Sequence, residues 1–280
     1  MRLFSLCGTL MLGISLFCLS TLLSVREHGS TTLPAARPVP EAIVDDKDDI
    51  PEKIGPVKII AKVSNSFYPS YWLNDPKINP VAIEADRKEL LRTIPLIRKF
   101  VEEYPEEVLK RNLKGMYLCK KLMFYGKDFG GTNSATGVYI CIRTVAEGYT
   151  NTYLLSSMHH EFSSILMRNY AFPKKEWTTL LPDGFKYTED AVGALGTDNL
   201  LTPMDKYHKD GFVCLYSQSS MEEDFNTIAD YLFNQRPALL KMANKHEKLK
   251  AKIVQAMKFY KSVDERIKFG ELDTLNGKAR

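Results

Sequence analysis

The chain has 280 residues, 44% hydrophobic and 26% charged, with a formal net charge of +4. That length supports one domain with a useful core, or one plus an appendage, and the composition excludes collagen, low-complexity arrays and wholesale disorder. The mild charge gives no support to a nucleic-acid surface, and five cysteines without a Cys-x-x-Cys pair argue against a thiolate zinc cluster.

Leu3 to Ser24 is an uncharged, largely apolar stretch behind Arg2, which reads as a signal peptide or a membrane anchor over residues 1–24. Cys18 invites a lipoprotein reading, but Phe17 stands where such signals want a small residue. Residues 25–56 carry Pro34, Pro38, Pro40, Pro51 and Pro56 and no aromatic residue, so they read as a Pro-rich acidic linker. Its cluster Asp45, Asp46, Asp48 and Asp49 lacks the glycine turn and distal glutamate of a calcium loop. The expected location is therefore exported, in the cell envelope, either attached to a membrane through the N-terminus or released.

The folded domain is expected over residues 57–280. Val57 to Val63 alternates weakly, as a strand does. Leu90, Leu91, Ile94, Ile97, Phe100 and Val101 predict a helix over Glu84 to Tyr104, with a kink or second start at Pro95 and a stop at Pro105. Gly115 to Tyr125 and Gly137 to Arg143 read as strands, separated by a turn-rich loop from Gly126 to Asn133. A helix follows over Thr152 to Tyr170, then a long connection from Pro173 to Gly211. Helices over Glu222 to Phe233 and Arg236 to Tyr260 close the domain. Strands, a helix, a long loop and then helices suit an α+β fold better than a doubly wound sheet.

Chemistry concentrates on two of these helices. The first carries His159, His160 and Glu161. A helical His-Glu-x-x-His places two imidazoles one turn apart, where both reach a zinc ion, and the glutamate polarises the metal-bound water. Here the position four after His160 is Ser164, so the second ligand is missing. The second helix opens with Glu222, Glu223 and Asp224, carboxylates that a helix N-terminus favours without any function. The loop from Gly126 to Gly131 lacks the Gly-Lys-Ser/Thr ending of a phosphate loop, and no Gly-x-Ser-x-Gly elbow is present. The basic run from Lys241 to Lys261 reads as the wet face of an amphipathic helix, and His28 and His246 read as solvent-facing.

Taken together, the His159-His160-Glu161-Phe162 helix, Gly211-Phe212-Val213 with Tyr216, and Glu223-Asp224-Phe225 resemble a gluzincin-type family of zinc metallopeptidases found among bacterial exported proteins and lipoproteins. The likeness spans roughly Pro105 to Phe269. The family pattern is His-His-Glu-Phe-x-His, then Gly-Phe-Val-x-x-Tyr-Ala and Glu-Asp-Phe-Ala-Glu. The resemblance implies a zincin-like single domain with a small N-terminal sheet, an active-site-type helix and a helical C-terminal part. It implies zinc as cofactor, His160 and Glu223 as ligands, Glu161 as general base and Tyr216 as a donor to the oxyanion. The partner implied is a peptide or protein, not a nucleic acid.

The chain departs from this pattern at Ser164 and at Asn226-Thr227, where the family carries Ala-Glu. Three readings of Ser164 follow: a pseudo-peptidase that keeps a cleft for peptide or glycan, a ligand supplied by His208 or Asp224, or one supplied by His159 after local distortion. On spacing alone, Ser164→His is expected to restore the ligand pair.

Overall fold

The computed structural model describes residues 49–189 and 199–276. The expected leader and residues 25–48 of the expected linker lie outside the described residues. Strands β1 (Lys53–Ile54) and β2 (Val57–Ile60) precede α1 (Ser70–Leu73), β3 (Val81–Ile83), α2 (Arg87–Glu102) and α3 (Glu106–Asn112). Strands β4 (Gly115–Cys119), β5 (Lys121–Phe124), β6 (Lys127–Asp128), β7 (Gly131–Asn133) and β8 (Gly137–Cys141) lead into α4 (Asn151–Asn169). Helices α5 (Lys174–Thr178), α6 (Asp205–His208), α7 (Met221–Asn234), α8 (Arg236–Ala243) and α9 (Glu247–Val263) follow. Fold class is α+β, as expected. Among the described residues no helix is long and apolar enough to cross a membrane.

Five strands form a mixed sheet in the order β1-β2-β4-β8-β7, with β2, β4 and β8 mutually parallel and both edge strands antiparallel. Its central strands are buried on both faces. Met116, Leu118, Val138 and Ile140 point into the main core with Ile97, Phe100, Met158 and Phe162. Tyr139 points the other way, into an aromatic cluster with Phe67, Tyr68, Trp72, Phe124 and Phe129. That second cluster is roofed by a small antiparallel sheet, β3-β5-β6.

The elements differ from the sequence expectations in several places: the loop expected from Gly126 to Asn133 contains β6 and β7, and the connection expected from Pro173 to Gly211 contains α5 and α6. The fold begins before residue 57: Lys53 and Ile54 pair with Lys58 and Val57 across a turn at Gly55, whose φ of 56° suits glycine. Gly115 to Tyr125 is two strands, because the chain leaves the large sheet at Lys120, whose N–H bonds to the Ile83 carbonyl of the small one. Helix α2 runs unbroken through Pro95, its buried Leu90, Leu91, Ile94, Leu96, Ile97 and Phe100 holding it against the core. The last long helix is two, α8 and α9, broken at Asn244-Lys245-His246, where His246 takes an extended backbone.

Helices α4 and α7 lie against each other, and α4 also covers β7 and β8. Thr150 caps α4 by accepting from the Tyr153 N–H at 3.1 Å, and Ser220 caps α7 by accepting from the Glu223 N–H at 3.1 Å. These two caps set where each helix starts, and so which residues meet at the shared face.

Candidate functional site

At that shared face His160 Nε2 lies 2.9 Å from Glu223 Oε2. On its other side His160 Nδ1 lies 3.3 Å from Asp230 Oδ1, so α7 supplies one carboxylate to each ring nitrogen, from positions i and i+7. Burial pulls the His160 pKa down, but the Asp230 and Glu223 carboxylates outweigh it and hold the imidazole protonated well above its usual range. Asp230 was not visible as a site residue from sequence. The signal available was its spacing of two helical turns from Glu223.

Glu161 is wholly buried beside the edge strand β7. Asn133 of β7 donates to Glu161 Oε2 at 2.7 Å, while Glu161 Oε1 has no hydrogen-bond partner among the described residues. Gly131 admits this carboxylate: a Cβ there would stand 3.0 Å from Glu161 Oε1 and 3.2 Å from the Tyr139 carbonyl. Burial pushes the Glu161 pKa up to about 8, so at neutral pH the group is mainly a carboxylic acid. The Tyr216 ring, also buried, stacks beside His160 with centroids 6.4 Å apart.

Ser164 sits one turn beyond His160 on the same face of α4 and is fully buried. Its Oγ accepts from Asn226 Nδ2 at 2.7 Å, and its hydroxyl also serves the Glu222 carboxylate. Glu222 lies 3.5 Å from Arg168, and Arg168 donates to Asn133 and to the Ser134 carbonyl. A continuous polar network thus runs from Asn226 through Ser164, Glu222, Arg168 and Asn133 to Glu161.

The three residues considered as replacement ligands all lie elsewhere. His159 points away from His160 into an aromatic pocket, its Nδ1 2.9 Å from the Tyr104 hydroxyl and its ring stacked on Phe233. Burial drops its pKa to about 3, so it is neutral. Asp224 is taken up by Lys252 at 2.7 Å, the Tyr187 hydroxyl at 2.7 Å and the Trp177 indole N–H at 3.0 Å. His208 donates from Nε2 to the Val213 carbonyl at 3.1 Å and faces His246 across 5.5 Å between ring centroids. His246 itself is not solvent-facing: its side chain is 9% exposed and its Nε2 lies 2.9 Å from Asp205 Oδ1.

A catalytic zinc takes three protein ligands and keeps a position open for water. His160 and Glu223 are close enough to share an ion, but the third position is a neutral serine already engaged by an amide. Among the described residues, the only group of three His, Cys, Asp or Glu ligand atoms within 4.8 Å of one another is Asp205, His208 and His246. The residues around His160 therefore do not fit a three-ligand zinc. With His160, Glu161 and Glu223 all buried, His160 and Glu223 are in direct contact instead of facing one another across a cleft.

The model of the family described as "Putative zinc-binding metallo-peptidase" matches residues 85–262, which covers α2 through nearly all of α9 and every residue of this site. No curated protein and no solved structure gives a match.

Proposed function

This chain belongs to that zinc-binding metallopeptidase family, and we propose that it is an exported pseudo-peptidase: a member whose scaffold persists while its metal centre has been rebuilt as a hydrogen-bonded network. One observation carries the proposal. Asn226 donates to Ser164 at 2.7 Å, so the two departures from the family pattern touch each other. Loss of an imidazole at position 164 leaves a void of several heavy atoms, and an amide in place of alanine at position 226 fills it and satisfies the serine. Such paired replacement is what keeps a buried site close-packed and polar groups satisfied after a ligand is lost.

On this proposal the protein binds a peptide or glycan in the cell envelope and does not cleave it. Family membership supports the peptide, and the apolar Leu3 to Ser24 stretch supports export.

On this proposal Ser164→His alone is not the right repair. Ser164→His by itself drives an imidazole into the Asn226 side chain, and overpacking of this kind costs about 1–3 kcal/mol. The repair that fits is Ser164→His with Asn226→Ala. Zinc titration of the full chain, prepared without a histidine tag, tests this. Neither His160→Ala nor Glu223→Ala is expected to remove zinc from the wild type. The double variant is expected to gain an equivalent of zinc that His160→Ala then abolishes, with affinity at this site raised about 100-fold, or ~2.8 kcal/mol. Stoichiometric zinc in the wild type that disappears with His160→Ala refutes the proposal, as does peptide hydrolysis that depends on Glu161.

A further inference from the structure

We propose that Asp205, His208 and His246 form a metal site, separate from the His160 centre, that takes a divalent transition-metal ion of zinc type. One ligand atom from each of the three lies within 4.8 Å of the others, a separation that small side-chain rotations close to the roughly 3.3–3.6 Å between donors held about 2.0–2.2 Å from one tetrahedral ion. Two imidazoles and a carboxylate are a donor set that suits zinc and its neighbours and not calcium or magnesium, which take oxygen.

The orientation of His208 supports this independently of the spacing. Its Nε2–H is donated to the Val213 carbonyl at 3.1 Å, which leaves Nδ1 as the nitrogen with a free lone pair. A backbone carbonyl behind a ring nitrogen is the arrangement that fixes the tautomer and aim of metal-binding histidines.

Access is provided as well. His208 is 7% exposed and the His246 side chain 9%, while the Asp205 side chain is 62% exposed. The two imidazoles are thus recessed, with the carboxylate as the outer ligand and solvent completing the coordination. Lys209 Nζ, 3.9 Å from Asp205 Oδ2, is an exposed cation that an entering ion displaces. The bound ion joins α6 to the first residue before α9, two segments about 40 positions apart whose local connection is the short contact of Asp205 with His246. Its role is a clip that holds the connection leading into Gly211 and Tyr216 against the C-terminal helix.

The test uses the full chain without a histidine tag, stripped with chelator and titrated with zinc alone. Wild type and His160→Gln are expected to bind one equivalent and to gain several degrees of thermal midpoint from zinc. His246→Gln and Asp205→Asn are expected to bind at least about tenfold more weakly and to lose that gain. Should His246→Gln fail to fold, Asp205→Asn carries the test, since its side chain faces solvent. No zinc binding by the wild type, or wild-type affinity in Asp205→Asn, overturns this site. Zinc lost in His160→Gln but kept in Asp205→Asn overturns both this site and the pseudo-peptidase. Two equivalents, each removed by one variant, support this site and overturn the pseudo-peptidase alone.

Discussion

Cys119, Cys141 and Cys214 are buried and unpaired by disulfide. Burial pushes the Cys141 and Cys214 thiols up to about 11 and raises the Cys119 thiol well above its ordinary value; Cys141 also donates to the Lys120 carbonyl at 2.8 Å. A thiol must ionise to react. At pH 8 the folded protein is therefore expected to leave these three unlabelled by a thiol reagent, with at most the remaining two of its five cysteines, Cys7 and Cys18, reacting. Mass mapping before and after urea checks this, and native labelling of Cys141 would contradict it. The sign of the linkage follows: a raised folded pKa means the folded state holds its proton longer. The contribution to stability is present below the unfolded value of 9.0 and is lost as pH rises through about 11. At this same scale the sequence was most legible where chemistry and helical spacing coincide. His160 and Glu223, which the family resemblance singles out, lie 2.9 Å apart, while Glu161 turns to Asn133. His246 was misjudged because its charged neighbours Lys245, Glu247 and Lys248 suggest a wet helical face, whereas it stands at a helix break and turns toward Asp205.

At the scale of elements, α9 is tied to α7 by one buried charge pair. Lys252 and Asp224 meet at 2.7 Å with neither side chain exposed, and the ammonium lies over the Phe212 ring at 3.7 Å. Burial drives both groups toward their neutral forms, Asp224 upward and Lys252 downward, and their mutual attraction opposes it. Removing one partner of such a pair leaves the other as an uncompensated buried charge, a loss of about 3–5 kcal/mol. Lys252→Ala is expected to lower unfolding free energy by that amount in urea titration, and a change below about 1 kcal/mol would show that the pair is relaxed by water. Sequence pattern had placed Lys252 on a solvated face, because a basic helix looks amphipathic whether or not one lysine is turned inward. The same limit explains the split of Arg236 to Tyr260 into two helices: helical periodicity survives a short break when apolar residues resume on the same side, as Leu239 and Ala243 do with Leu249 and Ile253. Pro95 starts no new helix, since the loss of one backbone bond is outweighed by a helix face buried in the main core.

At the scale of the whole molecule, fold class and element order were readable because alternation in β8 and spacing in α4 are strong local signals. Sheet order was not, since pairing β2 with β4 joins segments about 57 positions apart and depends on packing that no local pattern records. The leader reading yields its own expectation: fractionation should find the full-length protein outside the cytoplasm, and a cytoplasmic, N-terminally intact product would contradict it. The small hairpin of β1 and β2 matters most under mechanical load. A pull arriving from the N-terminal side first reaches Lys53 and Ile54, whose pairing with β2 is oriented so that its bonds bear the load one after another, starting from the Glu52–Ile59 bond. Beyond Gly55 the load passes to β2, held in parallel with β4 over Lys58 to Ile60. The hairpin is thus a short extensible leader between the chain outside and the sheet that supports the site: it can peel and re-form while β4, β8 and the helices above them stay at rest.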